Sequence, residues 1–205
     1  EQLSADKNGE PVYKRRKIDD LSENSLNEAT SVDVSMKLTG VDAATEKAGE
    51  LRQAEPDEPL GLFKTDLRGA FRQCAVYPED RVLLNSTLTT PGDKEASVWT
   101  HNVFPFGSLS AVVTFGRVSE AVLHVILMTM LIIVWHYVDD FFGISWRCHE
   151  RNAFRMFIRM HRLTGYELEE SKTFMPDVAR EVLGVLIDLS MEIARVAITP
   201  RRRSR

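Results

Sequence analysis

An α+β fold, with helices on one face of an antiparallel sheet, is what this sequence predicts, and three observations predict it. Two runs rich in β-branched and aromatic residues, Leu131–Tyr137 and Phe141–Ser145, flank the acidic step Val138-Asp139-Asp140, as two strands joined by a tight turn do. Residues 150–163 place Ala153, Phe154, Phe157 and Ile158 on one helical face and Arg151, Arg155, Arg159 and Arg162 on the other. The elements follow one another as strand, helix, strand, strand, helix, strand, which is not the regular alternation of a parallel α/β sheet.

Along the chain, residues 1–60 are polar, with short apolar islands such as Val32–Met36, and read as loops with one or two short helices. Gly61 to Thr65 forms an apolar strand interrupted by Lys64 and closed by Asp66. Val82–Leu84 and Val98–Val103 flank Thr89-Thr90-Pro91-Gly92-Asp93, which predicts a hairpin. Ser110 is placed to cap a helix reaching about Met130, with Val113, Val118 and Val122 along it. Gly165 stops the later Arg-rich helix, and Val182–Ile187 with Ile193–Thr199 predict a hairpin about Asp188-Leu189-Ser190.

Bulk properties exclude several classes. Cys74 and Cys148 stand far apart, which suits neither a disulfide scaffold nor a zinc site and fits a reducing, intracellular setting. No signal peptide is visible, and a chain opening on Glu1 reads as a fragment. The most apolar run, Val125–Trp135, has 11 residues and reads as buried core rather than a membrane span. The net charge of −4 is unevenly spread. Residues 1–60 hold eight Lys/Arg against fourteen Asp/Glu, residues 61–144 six against eight, and residues 145–205 twelve against eight. The last segment ends in Arg201-Arg202-Arg203-Ser204-Arg205, which serves a solvated tail as readily as a phosphate contact. An acidic balance argues mildly against a nucleic-acid enzyme.

The chemistry lies in the carboxylates. Adjacent Asp139 and Asp140 in a turn between hydrophobic strands repel each other unless a cation neutralises them, and Asp66 closes another strand. A hard divalent cation takes a few carboxylates together with substrate phosphates. Asp66 at a strand-to-helix junction also suits a helix cap.

Phe63-Lys64-Thr65-Asp66-Leu67-Arg68-Gly69-Ala70-Phe71-Arg72-Gln73 resembles the first palm motif of reverse transcriptases. Phe104-Pro105-Phe106-Gly107-Ser108-Leu109-Ser110-Ala111 resembles the second, and Tyr137-Val138-Asp139-Asp140 the third, in the family's order and with 73 positions from Asp66 to Asp139. Gly165-Tyr166-Glu167-Leu168 with Ser171-Lys172 is similar to the fourth, Val182-Leu183-Gly184-Val185 to the fifth, and Lys14–Asp20 with Asn27 to the fingers strand ahead of them. The resemblance covers roughly residues 12–199; Val112 departs from it, where a proline often stands.

The resemblance implies a polymerase palm, a ferredoxin-like antiparallel sheet, at 61–199, a partial fingers segment at 1–60, a basic tail at 200–205, and no thumb. It implies an RNA-directed DNA polymerase of a retrotransposon-type element, joining a dNTP to a primer 3′-hydroxyl on an RNA/DNA primer–template with two Mg²⁺ ions, for which Mn²⁺ can substitute. Asp66, Asp139 and Asp140 would hold the metals and Lys172 would protonate the leaving pyrophosphate. Arg15 or Arg16 would hold the triphosphate. Phe71 would exclude a 2′-hydroxyl, and Gly107, after Phe106, would let the backbone approach the nucleotide. Each has a plainer reading: a core ring for Phe71, solvated residues for Arg15, Arg16, Lys172 and the Arg-rich helix face. An RNA-directed RNA polymerase and an inactive or domesticated relic acting as a binding module are the rival functions; a generic metal-binding ferredoxin-like module is a remoter one.

Overall fold

The computed structural model describes residues 2–5, 11–14, 21, 25–32, 36, 38–89, 92 and 94–199. Its strands are β1 (Gln2–Ala5), β2 (Pro11–Lys14), β3 (Leu60–Asp66), β4 (Asn85–Leu88), β5 (Ser97–Thr100), β6 (Ile133–Tyr137), β7 (Asp140–Trp146), β8 (Phe174–Asp177), β9 (Ala179–Val182), β10 (Val185–Asp188) and β11 (Arg195–Ile198). The helices are α1 (Leu26–Ala29), α2 (Val41–Ala54), α3 (Leu109–Met130) and α4 (Arg147–Leu163), with 3₁₀ turns at Ala70–Gln73, Pro78–Leu83 and Glu170–Lys172.

The central sheet runs β6-β7-β3-β8 and is antiparallel throughout. Directly opposed residues of an antiparallel pair share a face. Leu60, Leu62, Lys64 and Asp66 therefore stand with Trp146, Ile144, Phe142 and Asp140 on one side. Phe63 and Thr65 stand with Gly143 and Phe141 on the other. Each side has its own core. Phe63 and Phe141 pack with Phe115 and Ile126 of α3 and with Phe154 and Phe157 of α4. Leu60, Leu62, Phe142 and Ile144 pack with Ala44, Ala48 and Leu51 of α2 and with Val182, Ile187 and Leu189.

The second core corrects the expectation of helices on one face. α3 and α4 do share a face, but α2 and the three-stranded sheet β9-β10-β11 cover part of the opposite one. One or two short helices were expected in residues 1–60 without a position; α2 could not be placed because its inward residues are mainly alanines spaced among charges, a weak amphipathic signal. The strands β1 and β2, paired antiparallel, lie just ahead of the fingers strand expected at Lys14–Asp20, which beyond Lys14 is outside the described residues.

Other boundaries moved for local reasons. Val82–Leu84 is not a strand: Pro78 opens a 3₁₀ turn that runs to Leu83, and the hairpin is β4–β5. Ser108, not Ser110, holds the N-cap position of α3, its hydroxyl bonded to that of Ser110 (2.9 Å) rather than to the helix backbone. Leu131 ends α3 in a left-handed conformation (φ 54°), so β6 starts only at Ile133. α3 is long and apolar enough to cross a membrane, yet it buries Ala111, Phe115, Gly116, Ser119, Val122 and Ile126. The expected strand Val182–Ile187 is broken by Leu183 and Gly184, both at positive φ (51° and 79°), into the β9–β10 hairpin. A two-residue loop with both residues left-handed is the connection that the strand twist favours, and Gly184 makes it accessible.

Candidate active site

β3 and β7 end together, with Asp66 opposite Asp140, and β7 is joined to β6 by the two-residue loop Val138-Asp139. The loop is strained. Val138 has φ 56°, a conformation a β-branched residue seldom adopts and one that costs about 1–3 kcal/mol. It is held from two sides. Leu67 N–H donates to the Asp139 carbonyl (3.3 Å), and His136 Nδ1 lies 3.3 Å from the Val138 carbonyl. A carbonyl only accepts, so that contact needs the proton on Nδ1. Burial drives the His136 pKa down, and its ring stacks on Phe141 with centroids 5.8 Å apart. His136 carried no role in the sequence reading, because a lone His in an apolar strand gives no signal of its own.

Asp66 is 4% exposed. Its carbonyl accepts from Glu169 N–H (2.8 Å), and its Oδ2 accepts from Lys172 Nζ. Asp140 Oδ1 faces Lys64 Nζ at 3.0 Å. Burial, then the neighbouring charges of Asp66 and Asp140, push Asp139 above its ordinary pKa of 3.8, only partly offset by Lys172. Burial opposes the charge on Lys172, but its hydrogen bond and attraction to Asp66, with Asp139 and Asp140, raise its pKa overall. The sequence placed Lys172 here on resemblance alone. Lys64 stands inside the first motif and interrupts an apolar strand, but nothing in the sequence gives it a partner.

Among the described residues no group of three His, Cys, Asp or Glu side chains is gathered closely enough to hold a metal ion. Asp66 is paired with Lys172 and Asp140 with Lys64, so ammonium groups supply the facing positive charge. The donor set itself fits a hard cation, being carboxylate oxygens only, with the charge on Asp139 opposed by burial and then by like charge.

A groove of about 730 Å³ lies before Asp139 and Asp140. Tyr137, Val138, Asp139 and Asp140 form one wall and Leu183, Gly184 and Val185 another. Val41 and Asp42 at the start of α2 complete it, residues that the sequence reading passed over. Gly107 (φ 108°) and Phe106 lie elsewhere, in the loop before α3. Asn27 fastens that loop, donating to the Gly107 carbonyl (2.9 Å) and accepting from Leu109 N–H (3.0 Å). Phe71 is half-buried, with its ring centroid 5.5 Å from Phe106 and 5.4 Å from Phe115, so it is at least a packing residue. Gln73 ties the segment after α4 to the turn after β3: its Nε2 donates to the carbonyls of Arg68 (2.7 Å) and Glu167 (2.8 Å), and its Oε1 accepts from Glu167 N–H (2.7 Å). Arg15, Arg16 and the basic tail 200–205 lie outside the described residues.

The fold is reverse-transcriptase-like. A structure of the foamy viral protease-reverse transcriptase dRH in complex with ds DNA aligns with TM-score 0.65 and 15% identity, over 98% of this chain and 31% of that one. A second, of the foamy viral protease-reverse transcriptase in complex with RNA/DNA hybrid, aligns with TM-score 0.55 and 16% identity, over 70% of this chain and 18% of that one. This chain thus spans less than a third of the length of either. No family model and no curated protein matches it.

Proposed function

We propose that this chain is the palm, with a partial fingers segment, of a retroelement RNA-directed DNA polymerase that transfers a nucleotide from a dNTP to a primer 3′-hydroxyl. The observation that carries the reading is the placement of Asp66 directly across from Asp140 on adjacent antiparallel strands, with Asp139 beside Asp140 in the β6–β7 loop and both of these last two lining one groove. Asp66 and Asp139 would hold two Mg²⁺ ions, or Mn²⁺, with Asp140 as a further ligand. When bound, such a pair stabilises charge on the attacking and leaving oxygens.

The chain's own residues do the positioning. Leu67 N–H and His136 fix the Val138-Asp139 loop, and Glu169 N–H fixes the strand end that carries Asp66. Lys172 keeps its proton at Nζ while paired with Asp66, which makes it an acid that a leaving pyrophosphate can draw on once the carboxylate takes a cation. The Leu183–Gly184 turn across the groove suits the primer end. Phe71 is assigned to sugar discrimination and Arg15 or Arg16 to the triphosphate, as the motif resemblance implies.

Primer extension on an RNA template tests this, with deoxy- and ribonucleotides compared and an Asp139→Asn control. Asparagine keeps the volume but removes the charge, so extension with dNTP should fall by roughly 10³-fold or more. Near-wild-type extension by the variant would sink the site assignment. Extension with ribonucleotides alone would make it an RNA polymerase. Oligonucleotide binding without any extension would make it a non-catalytic relic of the fold.

A further inference from the structure

The outer face of α4 is basic and without partners. Arg151, Arg155, Arg159 and Arg162 are all exposed, while Phe154, Phe157 and His161 of the same helix are buried. At about 100° per residue the four arginines fall within an arc of about 80°, on successive turns. Among the described residues none of the four makes a hydrogen bond or ion pair with another side chain. The helix offers them no carboxylate: its one acid, Glu150, is buried and faces Arg147 at 3.5 Å. A merely solvated helix face ordinarily interleaves both signs at i,i+4 spacing, and this one does not.

The stripe has a direction. β7 leads away from Asp140, and α4 packs back along β7 and β3. The segment that follows α4 returns to the carboxylates, where Glu169 N–H bonds the Asp66 carbonyl and Arg68 N–H bonds the Glu167 carbonyl (2.9 Å). Arg162 therefore stands toward the rim of the active site and Arg151 toward the far end, about 16 Å away at 1.5 Å per residue. That length matches about five nucleotides of one strand at 3.4 Å each. Arginine rather than lysine at every position suits phosphate, which the guanidinium grips bidentately.

We propose that Arg151, Arg155, Arg159 and Arg162 form a track for the phosphodiester backbone of nucleic acid, on the side of the sheet opposite the carboxylates and leading away from their rim. The track rests on the polymerase reading, since it supposes that nucleic acid is at hand. It would hold the strand by charge, without reading sequence.

The test is the salt dependence of binding of a labelled RNA/DNA hybrid to the full chain, followed by fluorescence anisotropy. Each phosphate contact contributes about 0.9 to the slope of log K against log salt. Arg155→Gln/Arg159→Gln should lower the slope by about two contacts' worth and weaken binding about tenfold or more at low salt. Arg155→Lys/Arg159→Lys should keep the slope, because the charge remains. Lys94→Gln/Arg195→Gln, an equal loss of charge elsewhere, should also keep it. A wild-type slope in the Gln variant overturns the track. So does an equal fall in the Lys94/Arg195 control, which would mark a general charge effect. If the Gln variant binds the hybrid normally but loses a polyglutamate peptide that the wild type binds, the face belongs to an acidic protein. If the wild type binds no hybrid at all, the polymerase reading itself falls; a bound hybrid with an unaltered slope removes only the track.

Discussion

Asp139 is where the electrostatics of the site are least comfortable, since burial, Asp66 and Asp140 all push it toward its neutral form. A raised pKa means that the folded state holds this proton more tightly than the unfolded chain does. The resulting penalty is absent below the ordinary Asp range and grows as pH rises through the raised value. Asp139→Asn should therefore raise the melting temperature at pH 7 without divalent ions, and the gain should vanish below about pH 3.8. Mg²⁺ should reverse the ranking, stabilising the wild type by ~2.7 kcal/mol at a hundredfold excess over Kd and the variant much less. Melting curves across pH, with and without Mg²⁺, read both effects; a wild type indifferent to Mg²⁺ would speak against a metal at this site. Phe71 calls for a different measurement, because its ring both packs on Phe106 and Phe115 and is assigned to sugar choice. Phe71→Ala should cut the preference for deoxynucleotides roughly 10–100-fold, the range for removing one shape-selective contact. Discrimination that survives in a folded variant would leave Phe71 a core ring only. The placement of Asp66 across from Asp140 and the nearness of Lys172 to Asp66 agree with motifs that name these residues in order. The roles of Lys64, His136 and Gln73 were not legible in the sequence, because what each does is set by a partner brought near by folding: a carboxylate, a carbonyl, a loop some ninety residues away.

At the scale of elements, glycines at Gly143 and Gly116 mark two close approaches of different kinds. A Cβ at Gly143, in the middle of β7, would fall on the Phe63 ring and within 2.8 Å of the Ile133 carbonyl oxygen. Neither the packed ring nor the neighbouring strand's backbone can give way, so Gly143→Ala should cost at least ~3 kcal/mol. A Cβ at Gly116, inside α3, would meet only the flexible Met36 side chain. Gly116→Ala should stay within about 1 kcal/mol of the wild type, helped by the helix preference for alanine. Urea unfolding of the two variants checks the contrast, and equal costs would mean that the backbone clash at Gly143 is relieved by movement of β6. Element type was legible wherever periodicity was strong, as in α4 and the β6–β7 pair. It failed at α2, whose alanines signal little, and at Leu183–Gly184, where an apolar run of strand length conceals a turn.

For the whole molecule, the decisive feature is that one sheet separates two cores and only one of them borders the groove. The α3–α4 core lies behind Phe63 and Phe141, whereas the α2 core carries β9 and β10, whose connecting turn forms a groove wall. Arg52 of α2 pins this second layer, donating to the carbonyls of Leu189 (2.5 Å) and Glu192 (2.9 Å). Large-to-small substitutions in either core should be costly, about 2–5 kcal/mol for Ile187→Ala and 3–5 kcal/mol for Phe157→Ala, both residues being fully buried. Their effects on activity should part. At a temperature where both variants are folded, Ile187→Ala loosens the wall that faces the carboxylates and should raise KM for primer–template several-fold, with kcat per folded molecule nearly unchanged. Phe157→Ala should leave both constants close to wild type, because the strands between it and the groove remain paired. Steady-state kinetics corrected for the folded fraction make the comparison, and an equal rise in KM for both would mean that the sheet transmits a packing defect from one side to the other instead of insulating the groove from it.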